Sequence, residues 1–132
     1  MLLDTSGLLC FIDPGEGQHA DAVTYLESAE RCVTHNLVIT ELVALGEVRG
    51  VSRQKLLDFA RGLPNLKFID FVFVHDELHE LALDLLTNRL DKEWSLCDAV
   101  SFILMKDWEI NDALTTDHHF EQAGFRRLLN SK

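Results

Sequence analysis

Apolar residues fall into two kinds of run along the chain. Short clusters suit strands, and longer stretches with apolar positions three and four apart suit helices. Leu2-Leu3 is a very short apolar run that predicts a strand, with Asp4 at its exit. Thr5-Ser6 can cap a short helix from Gly7 to Phe11, which Pro14-Gly15 breaks. Ala22, Val23, Leu26 and Ala29 mark a helix from His19 to Ala29, Cys32-Val33-Thr34 a second strand, and Leu37 to Val48 a mostly apolar helix ending near Gly50. Ser52 reads as the N-cap of a helix to Arg61, closed by Gly62 and Pro64. Leu66 to Ile69 alternates like a strand, and Val74 to Leu90 is amphipathic, with Leu78, Leu81, Ala82, Leu85 and Leu86 on one face. Trp94 to Trp108 is apolar nearly all round, which predicts a buried helix. Ala113 to Thr116 and Phe125 to Leu129 close the chain as strands. Strands alternating with helices predict an α/β sandwich built on a short, mainly parallel sheet. No repeat or linker divides the chain, so residues 1–132 are expected to form one domain.

Composition adds constraints to this picture. With 132 residues, 47% apolar and 26% charged, the chain can bury a core. No apolar stretch is long enough to span a bilayer, and the opening residues lack the basic region of a signal peptide. The three cysteines, Cys10, Cys32 and Cys97, sit apart in apolar surroundings and read as reduced core thiols of a cytoplasmic protein. A net charge of −10 works against affinity for a phosphate backbone. Two features temper that: bound cations alter the local sum, and Arg49, Arg53, Lys55, Arg61 and Lys67 share a stretch whose only acid is Asp58. This basic stretch reads equally as a solvated helix face or as a substrate or partner surface.

The candidate chemistry lies in acids placed where core residues belong. Asp98 has Trp94 and Phe102 one turn to either side and Cys97 and Ala99 beside it. A buried carboxylate without a partner costs several kcal/mol or takes up a proton, so Asp98 needs a donor, a cation or a cleft. Glu41 has only Leu37, Val38, Ala44 and Leu45 at helical spacing. A salt bridge or a capping bond explains either acid taken alone. Asp4 and Asp117 shift the balance, because each stands at the carboxyl end of a predicted strand, the edge where open α/β sheets bind ligands. Thr5 and Ser6 follow one, Thr115 and Thr116 precede the other, and their hydroxyls can orient the carboxylates. Four converging carboxylates raise one another's pKa, and a hard divalent cation relieves that conflict. Asp70 is the main decoy at another strand end; Asp112 precedes its strand and belongs to the opposite edge, and Glu47 is a weaker candidate.

In order along the chain, Leu3-Asp4-Thr5-Ser6, Thr40-Glu41-Leu42, Ser95-Leu96-Cys97-Asp98-Ala99 and Leu114-Thr115-Thr116-Asp117-His118-His119-Phe120 resemble the motifs of the PIN-domain family, specifically the short VapC-type toxin ribonucleases. The resemblance covers essentially the whole chain. It implies a three-layer α/β sandwich and hydrolysis of RNA phosphodiester bonds with Mg²⁺ or Mn²⁺. It carries catalysis and metal binding onto Asp4, Glu41, Asp98 and Asp117, and a supporting or substrate-binding role onto Ser6 and Thr115. It also implies a cognate antitoxin as partner, RNA as substrate, and a homodimer. The departure from the family is the strong acidity, with few bases near the motifs.

Other readings rest on less. A non-catalytic PIN-like module that binds RNA or protein requires an incomplete or internally salt-bridged acidic cluster. A phospho-acceptor of the receiver kind needs a lysine near the last strand, where this chain has Arg126 and Arg127. His75-Asp76-Glu77-Leu78-His79 approaches the H-E-x-x-H zinc motif but carries Asp where the general base should be Glu. His118-His119 beside Asp117 reads as a surface turn.

Overall fold

In the computed structural model, which describes residues 1–130, the chain runs β1 (Leu2–Leu3), α1 (Thr5–Ile12), α2 (His19–Ser28), β2 (Cys32–His35), α3 (Asn36–Val48), α4 (Arg53–Gly62), a 3-10 turn (Leu63–Asn65), β3 (Ile69–Val72), α5 (Asp76–Asn88), α6 (Leu96–Asp107), β4 (Asp112–Leu114), α7 (His119–Gln122) and β5 (Arg126–Arg127). The strands form one sheet of order β3-β2-β1-β4-β5, and every pair is parallel. Leu2 lies opposite both Val33 and Ala113, and Leu3 opposite Leu114. β1 is thus the central strand although it holds only two residues.

Alternation along β1 builds the three layers. Leu3 joins the core under α1, α2, α3 and α4, with Leu8, Leu9, Ala22, Leu26, Val38, Leu42 and Leu56. Leu2 points to the other face, among Leu78, Ala82, Val100, Phe102 and Met105 of α5 and α6. Both leucines are fully buried, as a period of two requires for a strand covered on both sides. Gly7 lets α1 lie against β4: a Cβ there would stand 1.9 Å from the Leu114 carbonyl oxygen. No helix among the described residues is long and apolar enough to cross a membrane.

Four local expectations shift. The strand predicted over Leu66 to Ile69 lies at Ile69–Val72, because turns claim the earlier residues: Leu66 N–H bonds the Leu63 carbonyl and Ile69 N–H the Leu66 carbonyl. Asp70 therefore sits inside a strand, opposite Val33, and pairs with Arg31. The buried helix begins at Leu96 rather than Trp94, since Ser95 is its N-cap. β4 ends at Leu114, so Thr115 to Asp117 leave the sheet and are free to turn across its edge. The strand at β5 is confined to Arg126–Arg127, and α7, the 3-10 turn and their boundaries had no periodic signal.

His75 does not lie within a helix. It is the N-cap of α5, and its Nδ1 accepts the Leu78 N–H at 3.3 Å, so the two histidines are not paired one turn apart within a helix as the zinc motif requires. All three cysteines are free and buried.

Candidate active site

The order of strands reverses between β1 and β4, which makes their carboxyl ends the topological switch point of the sheet. Asp4 leaves β1 there, and Thr115-Thr116-Asp117 leave β4. The Asp4 N–H bonds the Leu114 carbonyl at 3.2 Å, which fastens the two exits together. A cleft of about 460 Å³ opens above them. Its walls carry Asp4, Thr5 and Ser6 from α1 and its entry, Glu41 and Leu45 from α3, Glu93, Ser95 and Asp98 from the start of α6, and Thr116 to His119. All four predicted acids and Ser6 thus line one cleft, while Thr115 is buried beneath it.

Hydroxyl groups hold the acids. Thr115 Oγ1 donates to Asp4 Oδ2 at 2.7 Å and accepts the Asp117 N–H at 3.0 Å. Ser6 Oγ lies 3.1 Å from Thr115 Oγ1 and accepts the Thr116 N–H at 2.9 Å. Since the Thr115 proton is committed to a carboxylate, Ser6 is the donor in the pair, and the chain of bonds runs one way: Thr116 N–H to Ser6, Ser6 to Thr115, Thr115 to Asp4. On the far wall Thr5 Oγ1 donates to Glu41 Oε1 at 3.1 Å. Asp98 accepts the Ser95 N–H at 3.0 Å through Oδ2, and its own N–H bonds Ser95 Oγ at 3.0 Å, a complete capping box.

The result is a common pattern. Asp4, Glu41 and Asp98 each commit one oxygen to the protein and leave the other without a side-chain donor among the described residues. The free oxygens of Asp4 and Asp98 are not among the buried polar atoms left without a partner, so they open on the cleft. Asp117 gives Oδ1 to the His119 N–H at 2.9 Å. No lysine or arginine among the described residues pairs with any of the four. Three carboxylates near one another inside a sheet edge leave a mark on Asp4: burial, opposed by the Thr115 hydrogen bond and reinforced by the charges of Asp98 and Asp117, raises its pKa from 3.8 to about 7. Burial and the adjoining Glu41, Asp4 and Asp98 push the Cys97 thiol up as well, keeping it neutral. Such a set of half-committed, charge-crowded oxygens fits a hard divalent cation, which binds through oxygen and relieves the repulsion.

No family model and no curated protein matches the chain. Among solved structures, the crystal structure of Mycobacterium tuberculosis VapC20, a sarcin-ricin loop cleaving toxin, superposes with a TM-score of 0.85 at 26% sequence identity, covering 95% of each chain. The chain has the PIN-like α/β fold of that VapC toxin.

Within this fold, the acids differ from expectation in how they are held. Glu41 is exposed rather than buried, because α3 turns it out of the core and over the cleft mouth. Asp98 is buried as expected, at 6% exposure, but its place in a helix has a local cause besides any ligand: it is the third helical residue and closes the capping box. Glu47 lies outside the cleft and pairs with Arg53. Asp112 lies at the opposite edge of the sheet, 3.8 Å from Arg126. Two cleft residues escaped the sequence reading. Glu93 precedes the Ser95 cap, with no periodic signal to mark it. His119 is no surface turn: its Nδ1 reaches Asp98 Oδ2 at 3.0 Å. Its only sequence signal is its position two residues after the last acid.

Proposed function

We propose that this PIN-like domain is an endoribonuclease of the toxin kind, hydrolysing RNA phosphodiester bonds at Asp4, Glu41, Asp98 and Asp117 with Mg²⁺ or Mn²⁺. The observation that carries the reading is the convergence of four carboxylates at the switch point, with no lysine or arginine paired to them among the described residues, in a fold similar to that of an RNA-cleaving toxin. Asp4, Glu41 and Asp98 would hold the ion through the oxygens left free by their hydrogen bonds, and Asp117 through a remaining lone pair of a carboxylate oxygen. When bound, the ion supplies a Lewis acid for the phosphodiester and brings water into reach at neutral pH. The chain's own residues do the rest. Thr115 and Ser6 keep Asp4 from turning, Thr5 steadies Glu41, and the capping box fixes Asp98 against the N-terminus of α6, where the helix dipole favours negative charge. A non-catalytic module would call for an incomplete or salt-bridged cluster; all four acids are present, and no lysine or arginine among the described residues pairs with any of them.

A partner follows from the same reading. A toxin of this kind is held in check by a cognate antitoxin, and a homodimer is the expected assembly. The physiological substrate is RNA, with the sarcin-ricin loop the first sequence to test, since it is what VapC20 cleaves.

The test is cleavage of a panel of structured RNAs, including a sarcin-ricin loop fragment, by protein freed of any copurifying inhibitor. Cutting is expected with Mn²⁺, none with EDTA, and a loss of at least about 100-fold in Asp98→Asn, the scale of removing a metal-centred stabilisation of the reaction. Failure of the wild type on every RNA, or equal cutting by Asp98→Asn, refutes the proposal.

A further inference from the structure

We propose that His119 is a positioning residue that locks Asp98 and Asp117 into one arrangement through its Nδ1–H. The inference deepens the metal reading of the acidic cluster and rests on it. Asp98 sits on α6 and Asp117 on the segment after β4, so the two acids are carried by separate elements. His119 is the side chain that touches both. Its Nδ1 lies 3.0 Å from Asp98 Oδ2 and 3.3 Å from Asp117 Oδ2, and its backbone N–H bonds Asp117 Oδ1 at 2.9 Å.

The direction of these bonds follows from the partners. A carboxylate only accepts, so Nδ1 carries the hydrogen, as it does in the neutral Nδ1–H tautomer and in the imidazolium alike. The role therefore does not depend on the charge of the ring. Asp98 Oδ2 already takes the Ser95 N–H at 3.0 Å. With the imidazole as second donor that oxygen is occupied from two sides, the carboxylate cannot rotate, and Oδ1 is the oxygen left for a ligand.

The ring itself is anchored. His119 begins α7, and the next residue, Phe120, is fully buried. Phe120 packs edge-on against Phe102 of α6 at 5.0 Å between centroids. Gln122 of α7 accepts the Trp94 indole N–H at 2.9 Å. Both contacts tie α7 to the entry and body of α6, so the imidazole is set at a fixed place relative to Asp98. The His119 side chain is 19% exposed. Its neighbour His118 is 65% exposed, lies 3.7 Å from Asp117 and 4.7 Å from the His119 ring between centroids, and makes no bond to Asp98, so it serves as the comparison for a histidine that does not bridge the two acids.

The experiment is Mn²⁺ binding by calorimetry, with electron paramagnetic resonance of the bound ion, on wild type and four variants. His119→Asn places an amide N–H near the position of Nδ1, His119→Gln places it near Nε2, His119→Leu removes it, and His118→Asn is the control. Outer ligands of this kind are worth about 10- to 100-fold in metal affinity. His119→Leu and His119→Gln are expected to bind at least about tenfold more weakly, with His119→Asn and His118→Asn within about threefold of wild type. Thermal unfolding in EDTA, a readout of folding alone, is expected to change little across the set. Wild-type affinity in both His119→Leu and His119→Gln overturns the proposal, as does an Asn variant as weak as the Leu variant. Nitrogen coupling from His119 in the pulsed spectrum also overturns it, because the ring would then be a direct ligand. A wild type that binds no Mn²⁺ refutes the metal reading itself, and with it this inference. That failure is distinct from a wild type that binds and variants that bind equally.

Discussion

Removing the charge of Asp4 should make the metal-free protein more stable above neutral pH while abolishing its proposed activity. Burial, the leading cause, lifts the Asp4 pKa from 3.8 to about 7. Between those values the folded state holds a proton that the unfolded state has released, so stability falls as pH rises from about 4 to about 7. Below 3.8 both states are protonated and the penalty is absent; above 7 it is complete. A gap of about three pKa units corresponds to about 4 kcal/mol. Asp4→Asn removes that penalty and keeps a carbonyl to accept the Thr115 hydroxyl, which bonds Asp4 at 2.7 Å. The new amide N–H donors recover part of the loss, at about 1–3 kcal/mol if left without partners. The net expectation at pH 8 in EDTA is a gain of about 1–3 kcal/mol, or roughly 3–10 °C in Tm for a chain of this size. The gain should vanish as pH falls and become a deficit of about 1–3 kcal/mol by about pH 4. Mn²⁺ should stabilise the wild type and leave the variant unmoved, since ligand binding adds stability only where the site exists. Thermal melts from pH 4 to 8, with EDTA and then with Mn²⁺, read all of this. Superimposable wild-type and variant curves across the range, or a gain that grows toward acid, would refute the reasoning.

Further perturbations probe the frame around the site. His35 is fully buried, its Nε2 bonds Ser101 Oγ at 2.8 Å, and burial lowers its pKa from 6.5 to about 4. The unfolded state therefore takes up the proton first, and stability should fall by about 3 kcal/mol as pH drops from 6.5 to 4. This slope opposes that of Asp4, so denaturant titrations should show a flatter pH profile for wild type than for His35→Gln or Asp4→Asn, whose slopes have opposite signs; parallel profiles would sink the assignment. Thr115 is fully buried and serves Asp4, Asp117 N–H and Ser6 at once. Thr115→Val should lose about 2–4 kcal/mol in urea unfolding by orphaning those groups, and a loss below about 1 kcal/mol would show the network to be slack. Gly7→Ala would set a Cβ 1.9 Å from the Leu114 carbonyl oxygen. It should cost at least about 3 kcal/mol by forcing α1 off β4, whereas Gly17→Ala, with nothing within 4 Å, should stay within about 0.5 kcal/mol.

The hydrophobic pattern determined the class of this protein. Apolar residues at strand and helix spacing, in alternation, leave few arrangements other than helices on both faces of a parallel sheet. Leu2-Leu3 was legible as a strand, whereas its central place and its cover on both faces come from the sheet order and packing. Acids at strand exits, Asp4 and Asp117, were legible for the same reason: strand ends are local, and the binding edge of such a sheet is general. What the sequence could not settle was orientation. Glu41 has apolar neighbours in the chain, but only the packing of α3 over α1 decides that it faces the cleft. β3 fell three residues late because a hydrogen-bonded turn, Ile69 N–H to the Leu66 carbonyl, took the alternating residues, and periodicity does not record such a turn. The grip on the acids belongs wholly to tertiary structure. Thr115 meets Asp4 across 111 positions, and His119 meets Asp98 across 21. Hydrogen bonds between such distant residues depend on the angles and separations of whole elements, and no local pattern records those. The four carboxylates were written in the sequence; the oxygen each one offers was decided by the fold.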